Sequence, residues 1–468
     1  MKVNKQYFKS HATRIWKNIR IDDDYISDEY ETKPIPQNKR KKTWVMGFIM
    51  IGFSLFSATA IIGYSTTAGL LGSGYDFGAV LITVIVGNLI LTVYICTLSY
   101  IGAKEGLSTH QLSTKVFGKH GIKITSSVTM IAQLGWFGVG IMMIVTPLTG
   151  MINATTEINK GDSGFIAIKW AMIIIIGFFM TFTAYYGIKS LTVVSIIVVP
   201  LIIIAGIAAI SVAAIQDNSN LPIGSGETIT IMAGIGLVFA AFASGGTLCP
   251  DFVRWAKDGK SAVIVTCLAF FFGSILMFLF GSAAFFIFAS ENILMGLAST
   301  SIALLVIGIL VLIGNIWTTS DNGLYTQAMA LSSTVGTKKK VNVIILGIIG
   351  TLLSPVIFSH FIPFLNVLNL LLPGIGTLIC LNYFWHKEDK SDVSHSWIAI
   401  WSWFLGFVAA FIINLILPFI LPLYVMLFTA LFFIIMKQGN AQELKWQANK
   451  YEKRYNSNNE KNNEHLSH

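Results

Sequence analysis

Two stretches, Gly52-Phe-Ser-Leu-Phe-Ser-Ala-Thr59 and Phe239-Ala-Ala-Phe-Ala-Ser-Gly-Gly-Thr247, each interrupt a long apolar run and together decide the fold. Both place small, hydroxyl-bearing and glycine residues around a phenylalanine, and Phe242 follows Phe56 by 186 residues (242 minus 56). Such interruptions are typical of a helix that breaks within the membrane, where the freed backbone groups are tolerated beside a cavity. The two stretches therefore predict two broken helices in corresponding positions.

A second pair of matching residues indicates a repeat. Gln133 precedes Trp136, and Asn315, which lies 182 residues after Gln133 (315 minus 133), precedes Trp317. Two pairs at nearly one offset indicate that spans 1–5 and 6–10 are repeats, and because five is odd the second repeat must be inverted in the membrane. In secondary transporters of this design the broken helices meet at the binding site. The alternative is that the Gly/Ser runs only allow close helix packing.

Composition places most of the chain in the bilayer. Of the 468 residues, 54% are hydrophobic and only 12% are charged, about half the charge of a soluble domain. A spanning helix needs about 20 apolar residues, so the length suffices for about 12 transmembrane helices. We therefore expect an all-α integral membrane protein. The apolar runs fall near 44–65, 77–101, 122–149, 164–187, 189–215, 228–248, 261–290, 299–326, 341–359, 361–384, 396–416 and 418–436.

Basic residues predict the topology. The net charge is +9, and Lys and Arg concentrate in the tails and in alternate loops, so both termini should be cytoplasmic and the protein multi-pass in the cell membrane. These residues should contact anionic lipid of the bilayer, and no nucleic acid. The predicted domains are a cytosolic tail 1–43, a transporter domain 44–436 with repeats at about 44–215 and 228–384 and extra helices at about 396–436, and a cytosolic tail 437–468. The inner-loop stretch Leu107–Phe117 is either a short amphipathic helix or a plain loop.

Polar residues of spans 3 and 8 share helical faces and should point inward, because a carboxamide facing lipid costs several kcal/mol. The first face carries Gln133, Trp136 and Gly140, and the second carries Asn315, Thr318, Thr319 and Asn322. Trp136 and Phe242 offer aromatic faces for stacking, and Gln133 offers a donor and an acceptor for the edge of a base. This chemistry suits a flat, neutral, polar heterocycle. Structural contacts between helices are the alternative role for these side chains.

The ion is predicted from what the spans lack. Asp321 is the one acidic residue well inside an apolar run, whereas proton-driven carriers usually have an intramembrane Asp, Glu or His relay. Hydroxyls, carboxamides and unwound carbonyls predominate, and such oxygen ligands suit Na⁺. A proton carried by Asp321 remains the alternative. We expect no cofactor and no obligatory protein partner, and the four cysteines form no CxxC or Cys/His cluster.

Several motifs resemble one transporter family. They are Pro34-Ile-Pro-Gln37, Phe56-Ser-Ala58, Tyr100-Ile-Gly-Ala-Lys-Glu-Gly-Leu-Ser-Thr-His110, Gln133-Leu-Gly-Trp-Phe-Gly-Val-Gly140, Ser244-Gly-Gly-Thr247, Asp251-Phe-Val-Arg254, Asn315-Ile-Trp-Thr-Thr319 and Asp321-Asn322. From Pro34 to the tenth span, and more loosely beyond it, the chain resembles the nucleobase:cation symporter-1 (purine-cytosine permease) family, in its bacterial cytosine permease branch. The resemblance implies a leucine-transporter-like 5+5 inverted repeat plus two C-terminal helices.

The resemblance also implies residue roles. A base would lie between Trp136 and Phe242, with polar contacts from Gln133, Ser244 and backbone amides near Gly245. A cation would be bound by carbonyls near Phe56 together with Asn315, Thr318 and Thr319. The chain departs from the family twice: Ser320, which we include in the substrate site, stands where a second Asn is usual, and Ala241 stands where Ser is frequent. Both departures bear on which base is preferred.

Four functions compete. The first is import of cytosine or a similar nucleobase by symport with a cation, expected to be Na⁺. The second is the same mechanism for another small heterocycle, such as a purine, a hydroxymethylpyrimidine, a hydantoin or allantoin. The third is a transporter-like nucleobase receptor, against which the short, low-complexity tails argue. The fourth, a membrane enzyme, is disfavoured because the sequence shows no catalytic constellation or phosphate loop.

Overall fold

The computed structural model describes residues 33–155, 161–186, 200–204, 206–207, 211, 228–288, 302–335, 337–386 and 389–439. Within these ranges the chain is helical and contains no β-strand beyond one isolated bridge between Lys41 and Ala256. The helices are α1 Thr43–Ser54, α2 Ser57–Gly72, α3 Phe77–Glu105, α4 Thr109–Phe117, α5 Ile122–Thr155, α6 Ser163–Tyr186, α7 Ile231–Ala240, α8 Ala243–Thr247, α9 Cys249–Val253, α10 Gly259–Cys267, α11 Ser274–Phe288, α12 Ile302–Val335, α13 Lys339–Ser359, α14 Phe361–Leu381, α15 Trp397–Ile416 and α16 Leu421–Gly439.

The helices confirm the predicted fold class of an all-α integral membrane protein. Eight helical segments in the described ranges are long and apolar enough to cross a membrane, and the pair α1 and α2, bent by 47°, adds a ninth. Residues 187–199 and 212–227, which hold most of predicted span 5, lie outside the described ranges, so the count of 12 stays a prediction. Residues 1–32 and 440–468, which make up most of the two tails, also lie outside them.

Apolar side chains on the outer surface agree with a bilayer environment. Ile174, Phe178, Leu352 and Ile416 are each more than half exposed, on helices whose other faces are buried in the bundle. A soluble monomer rarely exposes apolar patches of this extent. The outward faces of these helices are therefore suited to lipid.

The described spans form two packed groups. One group contains α1 and α2, α3, α7 to α9, and α10 with α11, while the other contains α5, α6, α12 and α13. Close approach within the first group depends on glycine: a Cβ at Gly63 would strike the backbone of Phe278, and one at Gly281 would strike the backbone of Ala60. Helix α14 contacts both groups. The breaks in the first group face the long helices of the second.

The stretch after α3 is a helix, which decides between the two predicted alternatives. Helix α4 begins with a capping box, in which Ser108 N donates to Gln111 Oε1 (2.8 Å) and Gln111 N donates to Ser108 Oγ (3.2 Å). Leu112 and Phe117 are buried. Thr109 N, at the start of the helix, donates to Asp251 Oδ1 (2.7 Å). Helix α4 thereby connects the C-terminal end of α3 to α9, the segment that follows the second break.

Candidate binding site at the two helix breaks

The first break lies between α1 and α2, where the chain was predicted to unwind. Leu55 (φ −83°, ψ 52°) and Phe56 (φ −86°, ψ 127°) leave the helical conformation, although both are buried. The Leu55 carbonyl and the Ser57 N–H consequently point away from the helix axis. Their hydrogen bonds must come from another part of the structure.

A carboxamide from α12 supplies those hydrogen bonds. Asn315 Nδ2 donates to the Leu55 carbonyl (2.7 Å), while Asn315 Oδ1 accepts from Ser57 N (2.9 Å) and from Ser57 Oγ (2.7 Å). One turn further along α12, Thr319 Oγ1 donates to the Asn315 carbonyl (2.9 Å). The predicted cation-site residues Phe56, Asn315 and Thr319 thus lie together, whereas the side chain of Thr318 is outside the described part of the structure.

The second break separates α7 from α8 and α9. Phe242 (φ −127°, ψ 17°) interrupts the helix, and Leu248 (φ −89°, ψ 1°) bends it again. Bonds within the segment satisfy much of its backbone: Gly246 N donates to the Phe242 carbonyl (2.6 Å), and Leu248 N donates to the Ser244 carbonyl (3.0 Å). Pro250 occupies the first turn of α9, where its missing N–H leaves no helical bond unmade.

A partly open cavity lies between the two breaks; about 40 Å³ of it is accessible to the centre of a water molecule, and its atom-free space, which includes open solvent at the mouth, is about 550 Å³. It extends from the breaks along α1, α9 and α12 towards the face of the bundle at which α1 begins. No charged side chain lines it among the side chains that the structure describes. Its lining residues are Phe53, Phe56, Gln133, Trp136, Phe137, Ala241, Phe242, Ser244, Gly245, Leu248, Phe252, Thr319, Ser320, Gly323 and Thr326.

Trp136 forms one wall and is fixed on several sides. Its Nε1 donates to Ser244 Oγ (2.8 Å), a buried bond that connects α5 to the second break. The ring of Phe56 meets it edge-on at 5.6 Å between centroids. Phe361 and Phe364 pack against it at 5.9 and 5.8 Å, at the start of α14. These contacts hold the indole between the first break, the second break and the start of α14.

Phe242 contributes another wall, and its ring contacts differ from those of Trp136. Its ring lies 5.9 Å from Phe53 and 5.0 Å from Phe270, both in edge geometry. Gly245 is packed against this cluster, since a Cβ there would lie 2.9 Å from Phe53 Cζ. Both predicted stacking residues therefore face one cavity, and each is supported by a separate set of aromatic neighbours.

Two polar side chains on the wall between α5 and α12 have no hydrogen-bond partner among the described residues. Ser320 Oγ is buried, with the residue 4% exposed, and has no hydrogen-bond partner in the described structure. The Gln133 carboxamide likewise has none among the described residues. Each lies against a glycine of the other helix: a Cβ at Gly140 would collide with Ser320 Oγ, and one at Gly323 would lie 2.6 Å from Gln133 Oε1. The two glycines therefore leave the space that the Ser320 hydroxyl and the Gln133 carboxamide occupy.

Sequence reasoning missed part of the lining. Phe53 and Phe252, whose ring centroids are 4.8 Å apart, line the cavity beyond the breaks, as do Leu248 and Thr326. Phe252 lies within the Asp251-Phe-Val-Arg254 motif, to which no binding role was assigned. For Phe53, the only sequence signal of a place in the cavity wall was its position about one turn before the first break. Apolar residues at such positions look the same in sequence whether they line a cavity or fill a core.

The chain is similar to known proteins in sequence and in overall fold. Cytosine permease of Escherichia coli (strain K12) is 33% identical over 400 residues, which cover 82% of this chain and 88% of the relative. The inward-facing conformation of Mhp1 matches with a TM-score of 0.73 at 15% identity, covering 88% of this chain and 94% of that one. Mhp1 in a closed conformation with bromovinylhydantoin bound, described as a nucleobase-cation-symport-1 family transporter, matches with a TM-score of 0.70 at 16% identity, covering 88% and 96%.

The broken spans, the central cavity and the 33% identity to a permease together define a multi-pass membrane transporter. Residues 34–432 match the family described as "Permease for cytosine/purines, uracil, thiamine, allantoin". The chain belongs to this permease family.

Proposed function

We propose that this protein imports cytosine or a closely similar nucleobase by symport with a cation, through alternating access. The observation that carries the proposal is the cavity at the two helix breaks, lined by aromatic faces and by uncharged hydrogen-bonding groups in the described structure. A cavity of this kind binds a flat, neutral, polar ring better than a charged solute, since a charge buried without a partner is costly. The resemblance to a cytosine permease, at 33% identity, makes cytosine the first substrate to test.

The base would lie between the rings of Trp136 and Phe242. The Ser244 hydroxyl, which accepts from Trp136 Nε1, keeps its own proton available to donate to an acceptor on the base. The Gln133 carboxamide supplies both a donor and an acceptor, and the Ser320 hydroxyl supplies one of each. Backbone amides near Gly245 are the remaining donors of the proposal.

The cation site would lie beside the first break. Its candidate ligands are oxygen atoms, namely hydroxyls of Thr318 and Thr319, carbonyls around Phe56, and Asn315, and an oxygen-only set suits Na⁺. A proton on Asp321, whose side chain is outside the described part, is the competing coupling. One co-transported charge contributes about 2.3 kcal/mol per 100 mV, roughly fifty-fold accumulation of a neutral solute.

Orientation and repeats complete the proposal. With both termini in the cytosol, the face at which α1 begins is cytoplasmic, so the cavity extends inward and Phe361 and Phe364 lie on the outer side of Trp136. The repeats would span about 44–215 and 228–384, with the last two helices outside them. Another heterocycle, such as a purine, a hydroxymethylpyrimidine, a hydantoin or allantoin, is the alternative substrate, because Ser320 and Ala241 line the cavity.

Uptake into proteoliposomes tests this function. Radiolabelled cytosine is offered with and without an inward Na⁺ gradient at fixed pH and membrane potential. We expect Na⁺-stimulated uptake that excess unlabelled cytosine suppresses. Uptake driven by a proton gradient alone would replace Na⁺ with H⁺. Absence of cytosine uptake by folded protein, with uptake of another heterocycle, would reassign the substrate.

A further inference from the structure

The first helix break depends on a single side chain from another helix. Leu55 and Phe56 are buried at 1% and 5% exposure, so the backbone groups freed by the break have little access to water. The Leu55 carbonyl and the Ser57 N–H both turn to Asn315. No glycine or proline lies between Gly52 and Gly63 to favour a bend. The shape of the break is therefore set by its hydrogen-bond partner.

The Asn315 carboxamide behaves here like an inserted peptide group. Its Nδ2 donates at 2.7 Å on one side of the break, and its Oδ1 accepts at 2.9 and 2.7 Å on the other. A carboxamide oxygen has two lone pairs, and the two Ser57 donors use both. This oxygen is consequently directed at hydrogen-bond donors, which is the opposite of the environment of a cation ligand.

We propose that the Asn315 side chain is a positioning residue that holds the α1–α2 break in its binding geometry, and does not act as a side-chain ligand of the cation. The proposal rests on the nucleobase transport proposed above and assigns this one residue a different role. Phe56 lies at the break and meets Trp136 at 5.6 Å, so the carboxamide acts on the base site through the Phe56 ring. Thr319 Oγ1 donates to the backbone carbonyl of Asn315 (2.9 Å), a bond within α12, so the Thr319 hydroxyl of the candidate cation site lies one turn from the residue that holds the break.

The two roles predict different binding data. A side-chain ligand determines how much Na⁺ is needed, and its loss leaves cytosine affinity unchanged once Na⁺ is saturating. A positioning residue determines where Phe56 stands, and its loss weakens cytosine binding even at saturating Na⁺. Calorimetric titration of the detergent-purified full chain with cytosine, over a series of NaCl concentrations balanced with choline chloride, separates the two quantities.

We expect Asn315→Ala to raise the cytosine Kd at saturating Na⁺ by tenfold or more. Asn369→Ala is the matched control: this buried carboxamide donates to the Gly236 carbonyl (2.9 Å) of the other broken span without bridging a break, so its Kd should change less than threefold. An unchanged saturating Kd for Asn315→Ala, with only a higher Na⁺ requirement, would overturn the proposal.

Asn315→Asp decides the question if the alanine variant does not fold. Aspartate keeps an acceptor for Ser57 but sets a second oxygen against the Leu55 carbonyl, so a positioning role predicts weaker cytosine binding. A ligand role predicts unchanged cytosine affinity with a lower Na⁺ requirement, and that result would contradict the proposal. If the wild-type chain bound no cytosine, cytosine would be excluded as the substrate and the binding comparison could not be made with it. The unfolding temperature of the ligand-free variants then tests the positioning role, with Asn315→Ala expected to lie below Asn369→Ala.

Discussion

The two broken helices border one cavity but are held in different ways. At the α1–α2 break, the Leu55 carbonyl and the Ser57 N–H are satisfied by Asn315 of α12, which is remote in sequence. At the second break, Gly246 N and Leu248 N bond to carbonyls of the same segment. The first break therefore depends on where another helix stands, whereas the second closes many of its own bonds.

This difference suggests separate roles for the two breaks, with direct ligand contact at the second and a change of shape during transport at the first. A segment that holds its own shape can present fixed groups to a ligand, and Ser244 and Gly245 of the second break line the cavity. A break clamped from the other helix group changes shape when the groups move relative to each other, which is how alternating access proceeds in such folds. Substitutions at the second break should thus alter base binding directly, and substitutions at the first should alter it through geometry.

The largest effect is expected for Trp136→Ala. It removes a stacking face worth about 1–3 kcal/mol per base, a loss of about fivefold to 140-fold in cytosine affinity, and uptake should fall to background. Trp317→Ala is the control, because Trp317 donates to Thr183 Oγ1 (2.9 Å) and is not part of the described cavity lining. Cytosine affinity that persisted unchanged in folded Trp136→Ala would remove this wall from the site.

A pair of serine variants compares the two breaks directly. Ser244→Ala leaves the buried Trp136 N–H without its partner, a cost of about 1–3 kcal/mol, and also removes the proposed donor to the base. Ser57→Ala removes one bond to Asn315 but keeps the backbone bond at 2.9 Å. We expect at least a tenfold rise in cytosine Kd for Ser244→Ala and less than threefold for Ser57→Ala, measured by calorimetry. Equal effects would mean that the breaks do not differ in the way described.

Much of this arrangement could be predicted from sequence because it is written in local composition. Breaks at Phe56 and Phe242 follow from small and hydroxyl residues inside apolar runs, and the shared face of Gln133 and Trp136 follows from helical spacing. Both patterns hold in the folded structure because a polar group in a membrane span is costly to bury without a hydrogen-bond partner, so it must face a cavity or a neighbouring helix. The predicted site residues with described side chains accordingly lie at one cavity or beside it.

What the sequence could not supply is the choice of partner. A carboxamide at position 315 could equally have bound a ligand, an ion or a neighbouring helix, and only the packed structure directs it to Leu55 and Ser57. The same holds for Phe53 and Phe252, whose aromatic rings give no sign of cavity or core until the helices are assembled. Contacts between distant spans depend on packing, which local spacing does not encode.

The smallest and most discriminating effect is expected at Ser320, on the wall that belongs to neither break. Its buried hydroxyl has no partner in the described structure, and an unpaired buried hydroxyl is destabilising. Ser320→Ala should therefore leave the unfolding temperature of the ligand-free protein unchanged or raise it. If the hydroxyl bonds the base, the same variant should weaken cytosine binding by about tenfold, equivalent to about 1.4 kcal/mol.

Thr429→Ala is the control, because Thr429 Oγ1 is also buried and unpaired in the described structure but lies in α16, away from the cavity. This control should show the gain in stability without the loss of cytosine affinity. A Ser320→Ala protein that bound cytosine as tightly as the wild type would place the base against the two breaks alone.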